Sequence, residues 1–79
     1  MRVYLKVFAN LRDYLPAYKP GTPLEVEIEQ GSTLDDLVEK FNLPRAEVKV
    51  TFVNARAQPL SYALQPDDEI GIFPPIGGG

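Results

Sequence analysis

The stretch that decides the fold is residues 33–41, which read Thr33-Leu34-Asp35-Asp36-Leu37-Val38-Glu39-Lys40-Phe41. Its apolar residues fall at the i, i+3, i+4 and i+7 positions of one helix face, namely Leu34, Leu37, Val38 and Phe41. Ser32 or Thr33 offers an N-cap, and the acidic residues that follow suit the positive end of the helix dipole. The pattern therefore predicts one amphipathic helix, which Asn42 and Pro44 bring to an end.

Strands are predicted on both sides of this helix. Apolar and polar residues alternate with a period of two in four segments, 2–8, 24–29, 48–53 and 69–73. In the first two segments the predicted inward side is Val3, Leu5 and Val7, then Leu24, Val26 and Ile28. In the third, Val48, Val50 and Phe52 alternate with Lys49, Thr51 and Val53. A short further strand is expected after a reversal at 54–57, and Gly71 in the last strand marks a close backbone approach or a bulge.

The order of elements is two strands, one helix, and then two or three strands. The apolar stripe of the helix has to cover one face of the sheet. The economical arrangement is a hairpin crossed by the helix, with the last strand returning beside the first. We therefore predict an α+β fold of the ubiquitin-like β-grasp type, a mixed sheet of four to five strands crossed by one main helix. The β-grasp domain is predicted to span residues 1–75, with a flexible glycine tail at 76–79.

Composition excludes several classes of chemistry. The 79 residues include no Cys, His or Trp, which removes disulfides, thiolate or imidazole metal sites and Cys or His nucleophiles. The formal net charge of −3 argues against a nucleic-acid partner, which requires a basic face. No apolar run approaches the roughly 20 residues of a membrane span. We therefore expect a cytoplasmic protein with no bound metal, no membrane partner and no catalytic residues in its own fold.

The end of the sequence is unusual in its chemistry. After Phe73 the chain reads Pro74-Pro75-Ile76-Gly77-Gly78-Gly79. Glycines without a Cβ fit a narrow channel, and the terminal carboxylate is ionised at neutral pH. An ionised carboxylate is a poor electrophile, so it requires activation, for instance as an acyl-adenylate in the active site of another protein. A glycine-rich end alone is more typical of a disordered or truncated terminus. Because these glycines follow a β-grasp pattern and a Phe-Pro-Pro junction, the sequence indicates a covalent carrier end at Gly79.

The sequence resembles the MoaD/ThiS sulfur-carrier family, and within it the small subunit of molybdopterin synthase. The resemblance covers the whole chain and lies in the order of its short motifs: Phe8-Ala9-Asn10-Leu11-Arg12-Asp13, Thr33-Leu34, Val53-Asn54, Leu64 with Asp68-Glu69-Ile70, and Phe73-Pro74-Pro75-Ile76 before Gly78-Gly79. The Phe-Pro-Pro element favours the molybdopterin branch over the thiamine branch. Asp67 departs from the family, which commonly has Gly there, but Asp tolerates left-handed backbone geometry.

The resemblance implies a function and a set of partners. An adenylating enzyme of the ubiquitin-activating type would use ATP to convert the Gly79 carboxylate to an acyl-adenylate. Sulfur from a donor protein would then displace AMP and leave a thiocarboxylate, which the large subunit of molybdopterin synthase would use to build the dithiolene of the cofactor. The chain itself would bind no cofactor, and Gly77 and Gly78 would only present the reactive end.

Both enzymes need a docking surface beside the tail. The expected surface is an apolar patch of Phe8, Phe73, Pro74, Pro75 and Ile76, because aromatic side chains commonly anchor interfaces. The phase of Phe8, opposite to Val3, Leu5 and Val7, places it away from the core. The alternative is that Phe8 and Phe73 are ordinary core residues.

Three other functions fit the same residues. A ubiquitin-like modifier would join the activated Gly79 to lysines of target proteins. A sulfur carrier for thiamine-thiazole synthesis would use the same chemistry with another acceptor. A passive interaction domain would have an inert tail.

Overall fold

The first and last strands of the chain lie side by side at the centre of one sheet. The computed structural model describes residues 1–75. Its strands and its α-helix are β1 (Arg2–Val7), β2 (Leu24–Glu27), α1 (Leu34–Lys40), β3 (Val50–Val53), β4 (Arg56–Ala57) and β5 (Glu69–Phe73). Short 3-10 helices follow β1 and precede β3, at Ala9–Tyr14 and Arg45–Glu47.

The strand order of the sheet is β2-β1-β5-β3-β4. β1 is antiparallel to β2 and parallel to β5, and β3 is antiparallel to both β5 and β4. Strand β5, the last in the sequence, is therefore the central strand. The predicted β-grasp fold, a mixed sheet crossed by one main helix with the last strand beside the first, is confirmed.

The N-terminus of α1 is fixed by a capping box. The Asp36 N–H donates a hydrogen bond of 3.2 Å to Thr33 Oγ1, and the Thr33 N–H donates one of 2.9 Å to Asp36 Oδ2. Thr33, of the two candidates, is thus the N-cap residue, and such a cap stabilises a helix by about 1 kcal/mol. The predicted stripe is buried at Leu34, Leu37 and Val38 and half-buried at the C-cap residue Phe41, which packs against the core.

The core lies between α1 and one face of the sheet. The strands contribute fully or almost fully buried side chains at alternating positions, Val3, Leu5, Val7, Val26, Val53, Ile70 and Ile72. Leu11, in the 3-10 helix after β1, is also completely buried. Because the side chains of a strand alternate between faces, the residues between these positions lie on the opposite side of the sheet. We call that side the open face.

Strand β3 presents its polar Thr51 to the core and its Phe52 to the open face. Thr51 and Val53 are buried, Phe52 is half-buried and Val50 is exposed. The Thr51 hydroxyl donates a hydrogen bond to the Gln58 carbonyl oxygen, so its burial leaves no unpaired donor. The alternation predicted the strand but left open which side faced the core.

The turn before β5 is built around a buried carboxylate. Asp67 adopts a left-handed backbone, with φ 68°. Asp68 is only 5% exposed and accepts hydrogen bonds from Asn54 Nδ2 (2.9 Å) and the Gln65 N–H (2.8 Å). Asn54 Oδ1 in turn accepts from the Glu69 N–H at 3.0 Å. Asp68 therefore ties the β3–β4 reversal to the start of the central strand.

Within residues 1–75, no helix combines the length and the apolar character that crossing a membrane requires.

Candidate functional site

The open face carries a pair of stacked phenylalanines where the two central strands end. Phe8 continues the ladder one residue beyond β1, because its N–H donates a hydrogen bond of 3.2 Å to the Ile72 carbonyl oxygen. Phe73 is the last residue of β5. The two rings are parallel, with centroids 4.1 Å apart and an interplanar angle of 2°. The parallel pairing of β1 with β5 thus brings residues 65 positions apart into ring contact.

A third ring completes this group. Phe52 on β3 meets Phe73 edge-on, with centroids 5.6 Å apart and an interplanar angle of 81°. All three rings are half-buried. We call Phe8, Phe52 and Phe73 the aromatic cluster. The sequence prediction did not include Phe52, although its alternation with Thr51 and Val53 was the signal that places it outside the core.

The predicted docking residues fall partly in the described range. Phe8 and Phe73 lie on the open face and outside the core, as the phase of Phe8 predicts. Pro74 is half-buried and Pro75 is exposed, directly after β5. Ile76 and the glycines Gly77, Gly78 and Gly79 lie outside the described residues. Their roles, and partner binding by the patch, stay predictions.

Beside the aromatic cluster lies an open groove of about 440 Å³. Gly71 forms the floor of the groove. It pairs with Lys6 of β1 on one side and with Phe52 of β3 on the other. The ladder runs through Gly71 in regular register, so the predicted bulge is absent. The nearest atoms to the position of a Cβ on Gly71 belong to the rings of Phe8 and Phe73, at ordinary van der Waals distances, so the alternative of a close backbone approach is not found either. The remaining lining residues are Tyr4, Pro23, Ala55, Glu69 and Ile70.

Charges stand at the rim of the groove and not on its floor. Lys6 and Glu69 are exposed groove residues on the two central strands. Further along the open face, Arg2 Nε and Glu27 Oε1 form an exposed ion pair at 3.0 Å. The hydrogen bond to Glu27 raises the pKa of the Arg2 guanidinium above its ordinary value.

The chemistry of this face is that of a binding surface. Its aromatic rings and glycine floor offer apolar contact to a bound group, and the charges at the rim can orient that group. Residues 1–75 include no group of three or more acidic side chains placed to hold a metal ion.

Comparison with solved structures identifies the fold. SAMP1 from Haloferax volcanii superposes with a TM-score of 0.72 and 22% identity, covering 100% of both chains. The putative molybdopterin converting factor subunit 1 of Pyrococcus furiosus gives a TM-score of 0.73 and 26% identity, covering 95% of this chain and 98% of the other. A second structure, of H. volcanii small archaeal modifier protein 1, gives 0.74 and 19%, covering 95% and 98%.

No curated protein matches the sequence. The family model described as Mut7-C ubiquitin matches residues 1–77. That match covers nearly the whole chain and agrees with the architecture of the sheet and helix. The chain therefore belongs to the Mut7-C ubiquitin family, and its neighbours place it in the MoaD/ThiS-like group of ubiquitin-fold proteins.

Proposed function

We propose that this chain is a sulfur carrier whose terminal carboxylate, at Gly79, is activated by a partner enzyme and converted to a thiocarboxylate for molybdopterin synthesis. In this proposal residues 1–75 are the body that partners recognise and residues 76–79 are the tail that enters their active sites. The chain itself supplies the acyl group and the docking surface, and the acids, bases and nucleotide belong to the partners.

The observation that supports the proposal is the place where the chain leaves the sheet, at the end of β5. The central strand β5 ends at Phe73, inside the aromatic cluster, and Pro74-Pro75 follow. Gly79 follows Phe73 by six positions in the sequence, and six fully extended residues span at most about 20 Å. A protein that encloses the terminal carboxylate therefore has to come close to the apolar end of the open face.

The chemistry follows from the carboxylate. An oxygen of the Gly79 carboxylate attacks the α-phosphorus of ATP in the active site of a ubiquitin-activating-type adenylating enzyme, and pyrophosphate leaves. The terminal sulfur of a persulfide on a donor protein then attacks the acyl carbon, and AMP leaves. A thiol cleaves the resulting S–S bond and releases the C-terminal thiocarboxylate. We propose that the large subunit of molybdopterin synthase uses this thiocarboxylate to build the dithiolene of molybdopterin.

The molybdopterin branch is supported by one relative and one motif. The Pyrococcus furiosus protein at 26% identity is described as a putative molybdopterin converting factor subunit. The Phe73-Pro74-Pro75 element, which favours this branch, begins in the aromatic cluster. The proposed docking patch is accordingly Phe8, Phe73, Pro74, Pro75 and Ile76, to which the structure adds Phe52 as a neighbour.

The first test is ATP–pyrophosphate exchange. The adenylating enzyme from the same organism is incubated with ATP, labelled pyrophosphate and either the intact chain or a chain that lacks Gly79. We expect exchange that depends on the intact chain and disappears with the deletion. Exchange that is equally fast with both chains would contradict activation at Gly79.

The second candidate function is protein modification. The same acyl-adenylate reacts with a lysine amine through an enzyme thioester, and the described Haloferax relative is named a modifier. At 19% identity that likeness supports the fold alone, so this candidate rests on the shared terminal chemistry. Gly79 recovered in an isopeptide bond to lysine, without a thiocarboxylate form, would favour it.

A further inference from the structure

Strand β2 forms one edge of the sheet and carries unpaired backbone groups on its outer side. In the described part of the chain, β1 is the only strand that pairs with it. The Ile28 N–H donates a hydrogen bond of 2.9 Å to the Met1 carbonyl oxygen, and the Met1 amine donates one of 2.7 Å to the Ile28 carbonyl oxygen. Because every second residue of an antiparallel strand bonds to the same neighbour, Val26 also faces β1. Glu25 and Glu27 therefore direct their N–H and carbonyl groups away from the sheet.

An edge with free N–H and carbonyl groups can bind a further strand. The main chain of the added strand then provides hydrogen bonds, and its alternate side chains provide specificity. The opposite edge of this sheet offers less, because β4 is only two residues long. The two faces of β2 indicate which side chains an added strand should carry.

On the open face, β2 presents acidic side chains. Glu25 and Glu27 are both exposed, and they lie beside Tyr4 and Arg2 of β1 in the strand register. A basic residue on the added strand is favoured next to them, whereas an acidic residue is not. The same acids disfavour a second copy of this chain, because two paired β2 edges would set carboxylates side by side on one face.

On the core face, β2 presents apolar side chains that are only partly covered. Val26 is 3% exposed, but Leu24 and Ile28 on either side of it are half-buried and pack against the core. Apolar side chains of an added strand would cover both of them. Residues on this face of the partner strand are therefore expected to be apolar, alternating with basic residues on the other face.

A cleft of about 440 Å³ lies between the end of β2 and α1. Met1 and Ile28 provide its apolar surface. Its charged lining residues are three acids and one base, Glu27, Glu29, Asp36 and Lys40. A long basic side chain matches this lining, since its aliphatic stem packs on apolar surface while its charged end reaches a carboxylate.

We propose that the outer edge of β2 is a docking site for an extended segment of a partner protein in which basic and apolar residues alternate. The segment adds to the five-stranded sheet as a sixth strand, beside Glu25 and Glu27. The site shares no residue with the aromatic cluster and does not involve the tail. A partner bound there leaves the end of β5 free, so this interaction is independent of the carrier function.

The test uses a peptide of three Lys-Val repeats, acetylated and amidated at its ends, with the full-length chain. NMR measures the solvent exchange of individual backbone amides. We expect exchange at Glu25 and Glu27 to slow by at least about tenfold on binding, because hydrogen-bonded amides are protected. The reference is the Ala57 N–H, which faces outward on the opposite edge, since the neighbouring Gln58 N–H bonds to Thr51. Its exchange should change by less than about twofold.

Two further peptides test the backbone pairing itself. One is N-methylated at every lysine and the other at every valine, so each lacks the N–H donors of one edge. Only one edge of an added strand faces β2, so one of the two peptides should bind like the parent. The other should bind at least about fivefold more weakly, because it loses main-chain hydrogen bonds.

A pair of charge variants tests the acidic face. Glu25→Lys reverses one charge at the edge and leaves the pair between Arg2 and Glu27 in place. It should raise the Kd of the parent peptide at least about fivefold, because like charges replace a favourable cross-strand pair. Asp13→Lys makes the same change of charge at an exposed residue of the 3-10 helix after β1. Its effect should stay below about twofold at physiological ionic strength. Circular dichroism verifies that both variants are folded.

Several outcomes would overturn the docking site. They are unprotected Glu25 and Glu27 amides at about millimolar peptide, equal affinities for the parent and both N-methylated peptides, and equal affinities of Glu25→Lys and Asp13→Lys. Protection of the same amides that grows with the concentration of the chain alone would assign the edge to a second copy and contradict the proposal. None of these results bears on the carrier function, which pyrophosphate exchange tests separately.

Discussion

The ring of Phe8 lies flat against the ring of Phe73, with centroids 4.1 Å apart and 2° between their planes. The contact joins the end of the first strand to the end of the last, on the face that α1 leaves uncovered. Because a stacked aromatic pair contributes about 0.5–1.5 kcal/mol beyond area burial, the contact links the stability of the body to the root of the tail.

A double-mutant cycle measures this link. Phe8→Ala, Phe73→Ala and the double variant are unfolded in urea, and the free energies of unfolding are combined. We expect a coupling energy of about 0.5–1.5 kcal/mol. The same cycle on Phe8 and the exposed Tyr14, whose ring does not stack on Phe8, is expected to give additive effects. Additive effects for Phe8 and Phe73 would show that the stacking contributes nothing.

The buried carboxylate of Asp68 is expected to hold the late turn together. In Asp68→Asn the side chain keeps one oxygen acceptor, so one of the two donors, from Asn54 or from Gln65, loses its acceptor and faces an NH2 group instead. We expect the free energy of unfolding to fall by about 1–3 kcal/mol, read from the urea midpoint. Asp67→Asn makes the same change at the exposed neighbour and should cost less than about 0.5 kcal/mol. Equal midpoints for the two variants would refute this role.

The β3–β4 hairpin should be improved by one glycine. Asn54 and Ala55 both have positive φ, 52° and 70°, as the central residues of a type I′ turn do. Alanine is strained there, so we expect Ala55→Gly to raise the free energy of unfolding by about 1 kcal/mol. The control, Ala57→Gly in β4, should lower it. A stability loss from Ala55→Gly would contradict the turn geometry.

Thr33 and Ser32 both carry a hydroxyl at the start of α1, but we expect only Thr33 to stabilise the helix as its N-cap. Only the Thr33 side chain accepts a hydrogen bond from the helix, so Thr33→Ala should cost about 1 kcal/mol. Ser32→Ala should stay within about 0.5 kcal/mol of wild type. Helix content and urea midpoints check both variants, and a larger cost at Ser32 would reverse the assignment.

Periodicity alone predicted most of the fold. In β1, β2 and α1 the apolar residues repeat at the period of the element, so the core side followed from the pattern. Strand β3 was ambiguous, because its open face carries the apolar Val50 and Phe52 while its core face carries Thr51. A pattern of apolar residues does not show that the Thr51 hydroxyl can be buried because it donates a hydrogen bond to a backbone carbonyl oxygen.

The site was predicted only in part for a related reason. Phe8 could be assigned to the open face from its phase, but its stacking on Phe73 depends on the parallel register of β1 and β5. Phe52 and the groove above Gly71 depend on three strands coming together, which no local pattern encodes. The buried role of Asp68 depends likewise on Asn54, 14 residues earlier in the chain.

In the proposed function, the acyl carbon of Gly79 carries sulfur in a C-terminal thiocarboxylate. Intact-mass spectrometry after incubation with the adenylating enzyme, ATP, a persulfide donor protein and a thiol tests it most directly. We expect a mass change equal to the replacement of one oxygen by one sulfur, localised to Gly79 by fragmentation and absent when that residue is deleted. An unchanged mass in a chain that the same enzyme has demonstrably adenylated would contradict it.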